Sequence, residues 1–367
     1  MPLTELENRL LAQIKAQPFA SQKELGELLG ISRASVANYV DRLQSKGLIL
    51  GRAYVFAETA AITCIGGAVL DRILKLEQPG IAQTSQPASS SETRGGVARN
   101  VSENLARLGE TVKMISIVGN DDAGSKVIEA TQAAGVDMTL VDRQASGETG
   151  TYTAIMEPNG DLYLGVADMA IMDGLNTGLL DKHLQHIVGS SIVFADTNCT
   201  AELLEALIGK CRTNDIKLAI DAVSIPKFEK LPTDLTGVTY LFCNRDEAHA
   251  LYGDHPTKEL AGRLIERGVS NIIITNGNKP VVCRNSSESF SVEIPKTTIT
   301  DVSGAGDAFV AGTLHGISTQ KTLQEAAKLG VIAATLTIQS ELRNSPKLNS
   351  NALNDGAQKI KILKDQT

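Results

Sequence analysis

From Ala61 onward, short apolar runs alternate with stretches whose apolar residues recur at helical spacing. The runs AITCIGG, VKMISIVG, SIVFAD, KLAIDA, YLFCN, NIIITNG and PVVCR are short and rich in β-branched residues, which predicts strands. Between them the spacing predicts helices over 97–108, 123–134, 201–213 and 258–267. Strand–helix alternation of this kind implies right-handed crossovers and a mainly parallel sheet with helices on both faces, an α/β sandwich. Ligands of such sheets sit beyond the carboxyl ends of the strands. Residues able to do chemistry are therefore expected at strand ends and helix starts.

Two stretches break the alternation. GTYTAIMEPNGDLYLGVAD is a pair of alternating runs joined by Asn159-Gly160, a hairpin signal. QPGIAQTSQPASSSETR has the composition of a linker, yet it runs into GGVARN between sheet elements. The two together predict a small β lid over the sheet edge, at about 80–95 and 149–168.

The first 58 residues follow a different pattern. Leu3, Leu6, Leu10, Leu11 and Ile14 share one helical face. Ser21 can cap QKELGELL, with Glu24 completing a capping box. Gly30 ends that helix and Ser32 caps RASVANYVDRLQSKG. The alternating tail KGLILGRAYVF suits a β-ribbon. The expected organisation is therefore an all-α front module with a wing over 1–58, a sandwich domain over 59–350 and a mixed-charge tail over 351–367. No flexible Gly/Ser stretch separates the first two, which implies close tethering.

Charge and cysteine content narrow the function classes. The net charge of -7 argues against a general polyanion binder. The front module departs from this, with seven Lys/Arg and six Asp/Glu up to Glu58 against 28 and 36 in the remainder. Five scattered cysteines with no CxxC pair suit buried thiols in a reducing compartment, and no membrane-length apolar run is present, so a cytoplasmic location is expected.

The stretch TDVSGAGDAFVAG, from Thr300 to Gly312, carries the most specific chemistry. Glycines weaken a helix, so two of them at the start of an apolar helix need another reason. A turn through Gly304, Ala305 and Gly306 would aim backbone N–H groups into one concavity and form an anion hole at a helix N-terminus. Asp307 would then lie in the first turn, able to take a proton from a hydroxyl attacking a phosphate. The alternative is an ordinary helix start with a favourable acidic residue.

DVSGAGDAFVAG resembles the C-terminal signature of the ribokinase-like (PfkB) carbohydrate kinases. GGVARNVSENLARLG resembles their N-terminal signature, and CNRDEAHAL holds Asn244 and Glu247 at the spacing of their NxxE motif. The three motifs follow in family order across nearly all of residues 61–350. The resemblance implies a ribokinase-like αβα sandwich and an ATP-dependent phosphotransferase acting on an alcohol. It further implies Asp307 as general base, with the amides of Gly304, Ala305 and Gly306 stabilising the transferring phosphoryl group. Asn244 and Glu247 would hold Mg²⁺ through waters, and Asp301 and Ser303 match the region where many members bind K⁺. Asp71, Gly95, Gly96 and Asn100 would contact the sugar, and Thr275 and Gly277 the nucleotide. Pro280 stands where relatives often carry the last glycine of T-x-G-x-x-G, so that loop must differ. Other readings of these residues make Asp71 a strand-end turn residue and Asn244/Glu247 a plain helix cap.

Acceptor choice rests on finer likenesses. GGVARNVSENLARLG, VADMAIMD and FADTNCT resemble pseudouridine kinases within the family, which makes Thr151, Tyr152, Asp168 and Asn198 candidates for reading a nucleobase edge. Other nucleosides and ribose-type sugars remain alternatives. The front module resembles the winged helix-turn-helix of bacterial regulators, which implies double-stranded DNA as a partner. Arg33, Ser35, Asn38, Tyr39 and Arg42 would lie on or near the exposed side of the recognition helix, with Ser32, Lys46 and Arg52 near phosphates. A regulator that uses the kinase fold to sense its ligand is the second class of function. A homo-oligomer is expected from the habits of both families. His183 and His186 are expected at the surface, and His315 either near the adenine or packed.

Overall fold

The computed structural model describes residues 3–50 and 61–364. The glycine break of the expected wing, with Arg52, lies outside the described residues.

Three helices open the chain: α1 (Glu5–Ala16), α2 (Gln22–Leu29) and α3 (Arg33–Ser45). Each begins at a side-chain cap, with full capping boxes at Thr4/Glu7 and Ser21/Glu24. Gly30 ends α2 in the left-handed region. Leu10, Ile14, Leu25, Val36, Leu43 and Ile49 form the small core.

The large domain starts with β1 (Ile62–Ile65), β2 (Val69–Leu76), β3 (Ala88–Gly95) and α4 (Val97–Arg107). Next come β4 (Val112–Gly119), α5 (Asp122–Ala133), β5 (Val141–Gln144), β6 (Thr151–Met156) and β7 (Leu162–Asp168). The chain continues with α6 (Thr177–Lys182), α7 (Leu184–Val188), β8 (Ile192–Asp196), α8 (Ala201–Asn214), β9 (Lys217–Asp221) and α9 (Ile225–Phe228). Beyond these lie β10 (Tyr240–Asn244), α10 (Arg245–Tyr252), α11 (Thr257–Glu266), β11 (Asn271–Asn276), β12 (Lys279–Asn285) and β13 (Ser289–Val292). The last elements are α12 (Ala305–Ser318), α13 (Leu323–Ile338), α14 (Ser350–Ala357) and β14 (Ile362–Lys364).

Ten strands form the central sheet in the order β14-β13-β12-β11-β10-β9-β8-β1-β4-β5. Pairing is parallel from β11 to β5 and antiparallel from β11 out to β14. Each face carries its own apolar core, one under α4, α12 and α13 and the other under α8 and α11. On the first face Gly312 allows α12 and α13 to approach closely, since a Cβ there would lie 2.7 Å from that of Ala333.

The lid is a four-stranded sheet, β3-β2-β6-β7. Asn159-Gly160 turns the β6–β7 hairpin, with Gly160 at φ 93°. The lid starts at Val69, earlier than expected: β2 follows β1 after only Gly66, Gly67 and Ala68, so its sequence reads as a continuation of the first strand. The expected tail is also not a tail. Leu353 and Ile360 are buried and β14 pairs with β13 at the sheet edge.

Candidate active site

The carboxyl ends of β1, β8, β9 and β10 meet the N-termini of α4 and α12. Asp196, wholly buried at the end of β8, holds this meeting point together. Its Oδ2 accepts from the N–H groups of Gly67 (3.0 Å) and Ala98 (2.9 Å), and its Oδ1 from that of Asn198 (2.9 Å). One carboxylate thus fixes the turn after β1, the start of α4 and the loop after β8. Gly66 is required beside it, because a Cβ there would lie 2.4 Å from the carboxylate.

On that scaffold α4 presents Asn100, whose Nδ2 donates to Asp307 Oδ2 at 2.6 Å. Burial pushes the Asp307 carboxyl up to about 6, although Asn100 and the guanidinium groups of Arg99 and Arg343 pull it down. Asp71, at the base of the lid strand β2, is buried, and Gly95 packs against its carboxylate. Burial raises the Asp71 carboxyl too, against the pull of Arg343, which donates to its Oδ2. Two carboxylates above the ordinary range therefore share the attraction of the same two cations, Arg99 and Arg343.

Asp307 lies in the first turn of α12. Gly304 is the N-cap at φ 78°, with no side chain to satisfy the first-turn N–H groups. A Cβ at this position would also lie 2.5 Å from the Arg343 carbonyl oxygen. The N–H groups of Gly306 and Asp307 have no intrahelical partner, which creates an anion-attracting helix end. The expected contribution of Ala305 differs: its N–H turns back to the Val302 carbonyl at 3.2 Å.

Beneath Asp307 lies a chamber of about 140 Å³ lined by Asp221, Val223, Asn244, Glu247, Thr275 and Gly306, among others. Its lining contains three carboxylates (Asp221, Glu247 and Asp307) and no Lys or Arg. Burial raises the Asp221 and Glu247 carboxyls, and Glu247 raises Asp221 further. Oxygen donors without a neutralising cation suit a hard divalent ion. Among the described residues no three His, Cys, Asp or Glu side chains converge closely enough to chelate one directly. Asn244 and Glu247 also cap α10 reciprocally, Asn244 N–H to Glu247 Oε2 and Glu247 N–H to Asn244 Oδ1, both at 2.8 Å. The cap and the chamber wall are the same two residues.

Residues 59–349 match the pfkB family carbohydrate kinase model, and residues 3–49 match a winged helix-turn-helix DNA-binding model. The chain belongs to the pfkB family of carbohydrate kinases. This pfkB kinase is 29% identical to the uncharacterized sugar kinase YeiI of Escherichia coli K12, over 95% of this chain and 97% of that one. It is 28% identical to the guanosine-inosine kinase of Exiguobacterium acetylicum, over 68% and 84% of the two chains. The pseudouridine kinase of E. coli K12 shares 27% identity over 72% and 86%. Among solved structures, a carbohydrate kinase from Agrobacterium tumefaciens superposes with a TM-score of 0.75 at 32% identity, covering 83% of this chain and all of that one. The chain is thus a phosphotransferase with an alcohol acceptor, carrying a winged helix-turn-helix at its front.

In this kinase the structure does not gather every residue singled out from the sequence. Lid register places Tyr152 opposite Asp71, on the same face. Thr151 pairs with Leu70 and with Asp168, so strand alternation puts Thr151 and Asp168 on the opposite face. Asp301 is spent partly on its own turn, accepting from Ser303 N–H at 2.9 Å. Thr275 lines the chamber, whereas Gly277 is exposed in the β11–β12 hairpin turn, with Pro280 just beyond it in β12. His183 is buried rather than exposed, and His186 is half-buried. His315 is packed, its Nδ1 2.6 Å from Glu110 Oε1. All five cysteines are free and buried.

Other residues at the site escaped the sequence reading. Lys227 donates to Asn198 Oδ1 at 2.5 Å and so fixes the amide that packs on Gly67. Val223 stands at φ 59°, strained for a β-branched residue, where the Ser224 N–H closes a tight turn onto the Ala222 carbonyl. Asp196 and Asp221 were visible only as the last letters of FAD and AID, a signal any strand-end aspartate gives.

In the front module Arg33, Asn38 and Arg42 are exposed on α3, while Ser35 and Tyr39 are half-buried. The Arg42 guanidinium lies 5.5 Å from the Tyr39 ring centre. Two of the phosphate candidates are used internally: Ser32 caps α3, and Lys46 pairs with Glu7 at 2.8 Å.

Proposed function

We propose that this kinase transfers the γ-phosphoryl group of ATP to the 5′-hydroxyl of pseudouridine. The observation that carries the chemistry is the placement of Asp307 at the junction of three features: Asn100 on the acceptor side, the uncapped N-terminus of α12, and the carboxylate-lined chamber. The acceptor oxygen attacks the γ-phosphorus in line as the bond to the β-phosphate oxygen breaks. Its proton passes to Asp307, and ADP leaves. Asn100 orients the carboxylate, and the N–H groups of Gly306 and Asp307, with Gly304 leaving the helix end open, meet charge on the transferring group.

Asn244 and Glu247, joined by Asp221, would hold Mg²⁺ through waters, where the ion would neutralise phosphate charge. Asp301 and Ser303, beside the turn into α12, are the proposed K⁺ region. Asp71, Gly95, Gly96 and Asn100 face the sugar. Tyr152 and Asn198 are the remaining candidates for the base. Pseudouridine is supported by the similarity to the pseudouridine kinase of E. coli K12 and by the resemblance of GGVARNVSENLARLG, VADMAIMD and FADTNCT to enzymes of that kind. The similarity to a guanosine-inosine kinase makes another nucleoside the competing acceptor.

ADP release from ATP with Mg²⁺ and K⁺ tests this, with pseudouridine, uridine, inosine, guanosine, adenosine and ribose offered in parallel. Turnover on pseudouridine above all others is expected. Preference for inosine or guanosine would replace the acceptor and keep the chemistry. Absence of turnover on every acceptor would favour a ligand-sensing regulator.

A second activity is favoured by a separate observation: α3 keeps Arg33, Asn38 and Arg42 exposed although its apolar side is packed. We propose that this face enters the major groove of double-stranded DNA.

A further inference from the structure

Arg343 belongs to the loop between α13 and α14, far in sequence from every motif of the site. Its guanidinium reaches Asp71, which is 6% exposed by side chain against 24% for Arg343. The next residue anchors the loop. Asn344, 7% exposed, accepts from Arg99 Nη2 at 2.9 Å and donates to the Asn100 carbonyl at 3.0 Å and Asn104 Oδ1 at 2.9 Å. Its amide is thus fully committed to α4. Just before it, the Arg343 carbonyl is pressed against Gly304.

Arg343 thus bridges the lid carboxylate and the turn into α12, and it acts electrostatically on both Asp71 and Asp307. Only one of its five N–H donors has a protein acceptor among the described residues. The others point from the edge of the cleft and have no acceptor among the described residues.

We propose that Arg343 binds the acceptor, as the donor half of a pair with Asp71 that reads a vicinal diol. The Asp71 carboxylate accepts from one hydroxyl, and the guanidinium donates to the oxygen of its neighbour. This deepens the kinase reading and rests on the cleft being the acceptor site. A planar fork suits two adjacent oxygens better than a point charge does. An acceptor lacking one hydroxyl leaves a partly buried donor or acceptor unpaired, a loss that sites of this kind convert into strong rejection.

The test measures kcat and KM for the wild type, Arg343→Met and Arg343→Lys. Acceptors are pseudouridine, uridine, inosine and guanosine, with the 2′-deoxy and 3′-deoxy counterparts of the last three, and KM for ATP is measured alongside. The wild type should favour each diol acceptor about a hundredfold or more over its deoxy counterparts. Arg343→Met should lower kcat/KM for the diol acceptors about thirtyfold, mainly through KM, with deoxy acceptors changed less than about threefold and the ATP KM unmoved. Arg343→Lys should recover part of the loss, and it carries the comparison if the Met variant does not fold. Equal losses on diol and deoxy acceptors, or a raised ATP KM, would overturn the inference and leave the kinase reading standing. A wild type inert on every acceptor would overturn both.

Discussion

Replacing Asp307 with Asn should make the protein more stable while disabling it, and the two effects should depend on pH in a related way. The Asp307 carboxyl titrates near 6 in the folded chain against an ordinary value of 3.8. Between those limits the folded state holds a proton that the unfolded state has released, so stability falls as pH rises from about 4 to about 6. The difference of about two units amounts to about 3 kcal/mol of destabilisation that is complete above pH 6 and absent below 4. Asn resembles the protonated acid and can still accept from Asn100. The Tm of Asp307→Asn should therefore exceed that of the wild type by up to about 5 °C at pH 8, and the gap should close by about pH 4. Over the same range wild-type kcat/KM should fall about tenfold between pH 7 and pH 5, since about one molecule in ten retains the ionised base at pH 5. At pH 7 and above the variant should lose about a hundredfold or more in kcat, with acceptor binding largely kept, and the gap should narrow as the pH falls and the wild-type base protonates. Scanning calorimetry from pH 4 to 8, paired with steady-state rates, measures both. A Tm difference that does not change with pH would refute the claim that burial raises this carboxyl. Near-normal turnover of the variant would remove Asp307 from the base role.

Asp196→Ala should cost about 3–5 kcal/mol, because it strands three buried N–H groups at once, and denaturant melts of the purified chain would register it. Asp196→Asn keeps one acceptor oxygen but turns an N–H₂ donor toward the remaining N–H, so it should recover only part of that loss. Gly47, at φ 70°, lies where a Cβ would come within 2.4 Å of the Gly189 nitrogen, so Gly47→Leu should lever the front module off the kinase domain. Limited proteolysis should then cleave between the two while kcat stays unchanged; resistance equal to wild type would argue that this contact does not hold the module. Arg33→Ala and Arg42→Ala should each weaken DNA binding in fluorescence anisotropy, and the loss of a phosphate contact should lower the salt slope by about one. Slopes and affinities equal to wild type would place DNA recognition elsewhere.

How much of this the sequence displayed depended on whether a residue's role is local. The capping boxes at Ser21/Glu24 and Asn244/Glu247 and the Asn159-Gly160 turn depend on neighbours within a few positions, and they stand where the spacing places them. The seven apolar runs are all strands, because a strand buried on both faces needs no alternation to announce itself. Failures begin where the partner is distant. Nothing in SELRNSP indicates that Arg343 lies against Asp71, 272 positions earlier, or that Asn344 holds α4 in place. The β2 strand was hidden for a related reason: VLDRILKL carries its charges at Asp71, Arg72 and Lys75, without the alternation of a half-buried strand, and only its pairing with β3 and β6 defines it. The same distinction bears on acceptor choice. Asp307 and its helix end form a local unit that any acceptor could use, whereas the groups proposed to tell acceptors apart come from the lid, from the loop after β8 and from the loop after α13. On the proposed reading, specificity would be set by segments that share no sequence neighbourhood, and a change of acceptor would require no change in TDVSGAGDAFVAG.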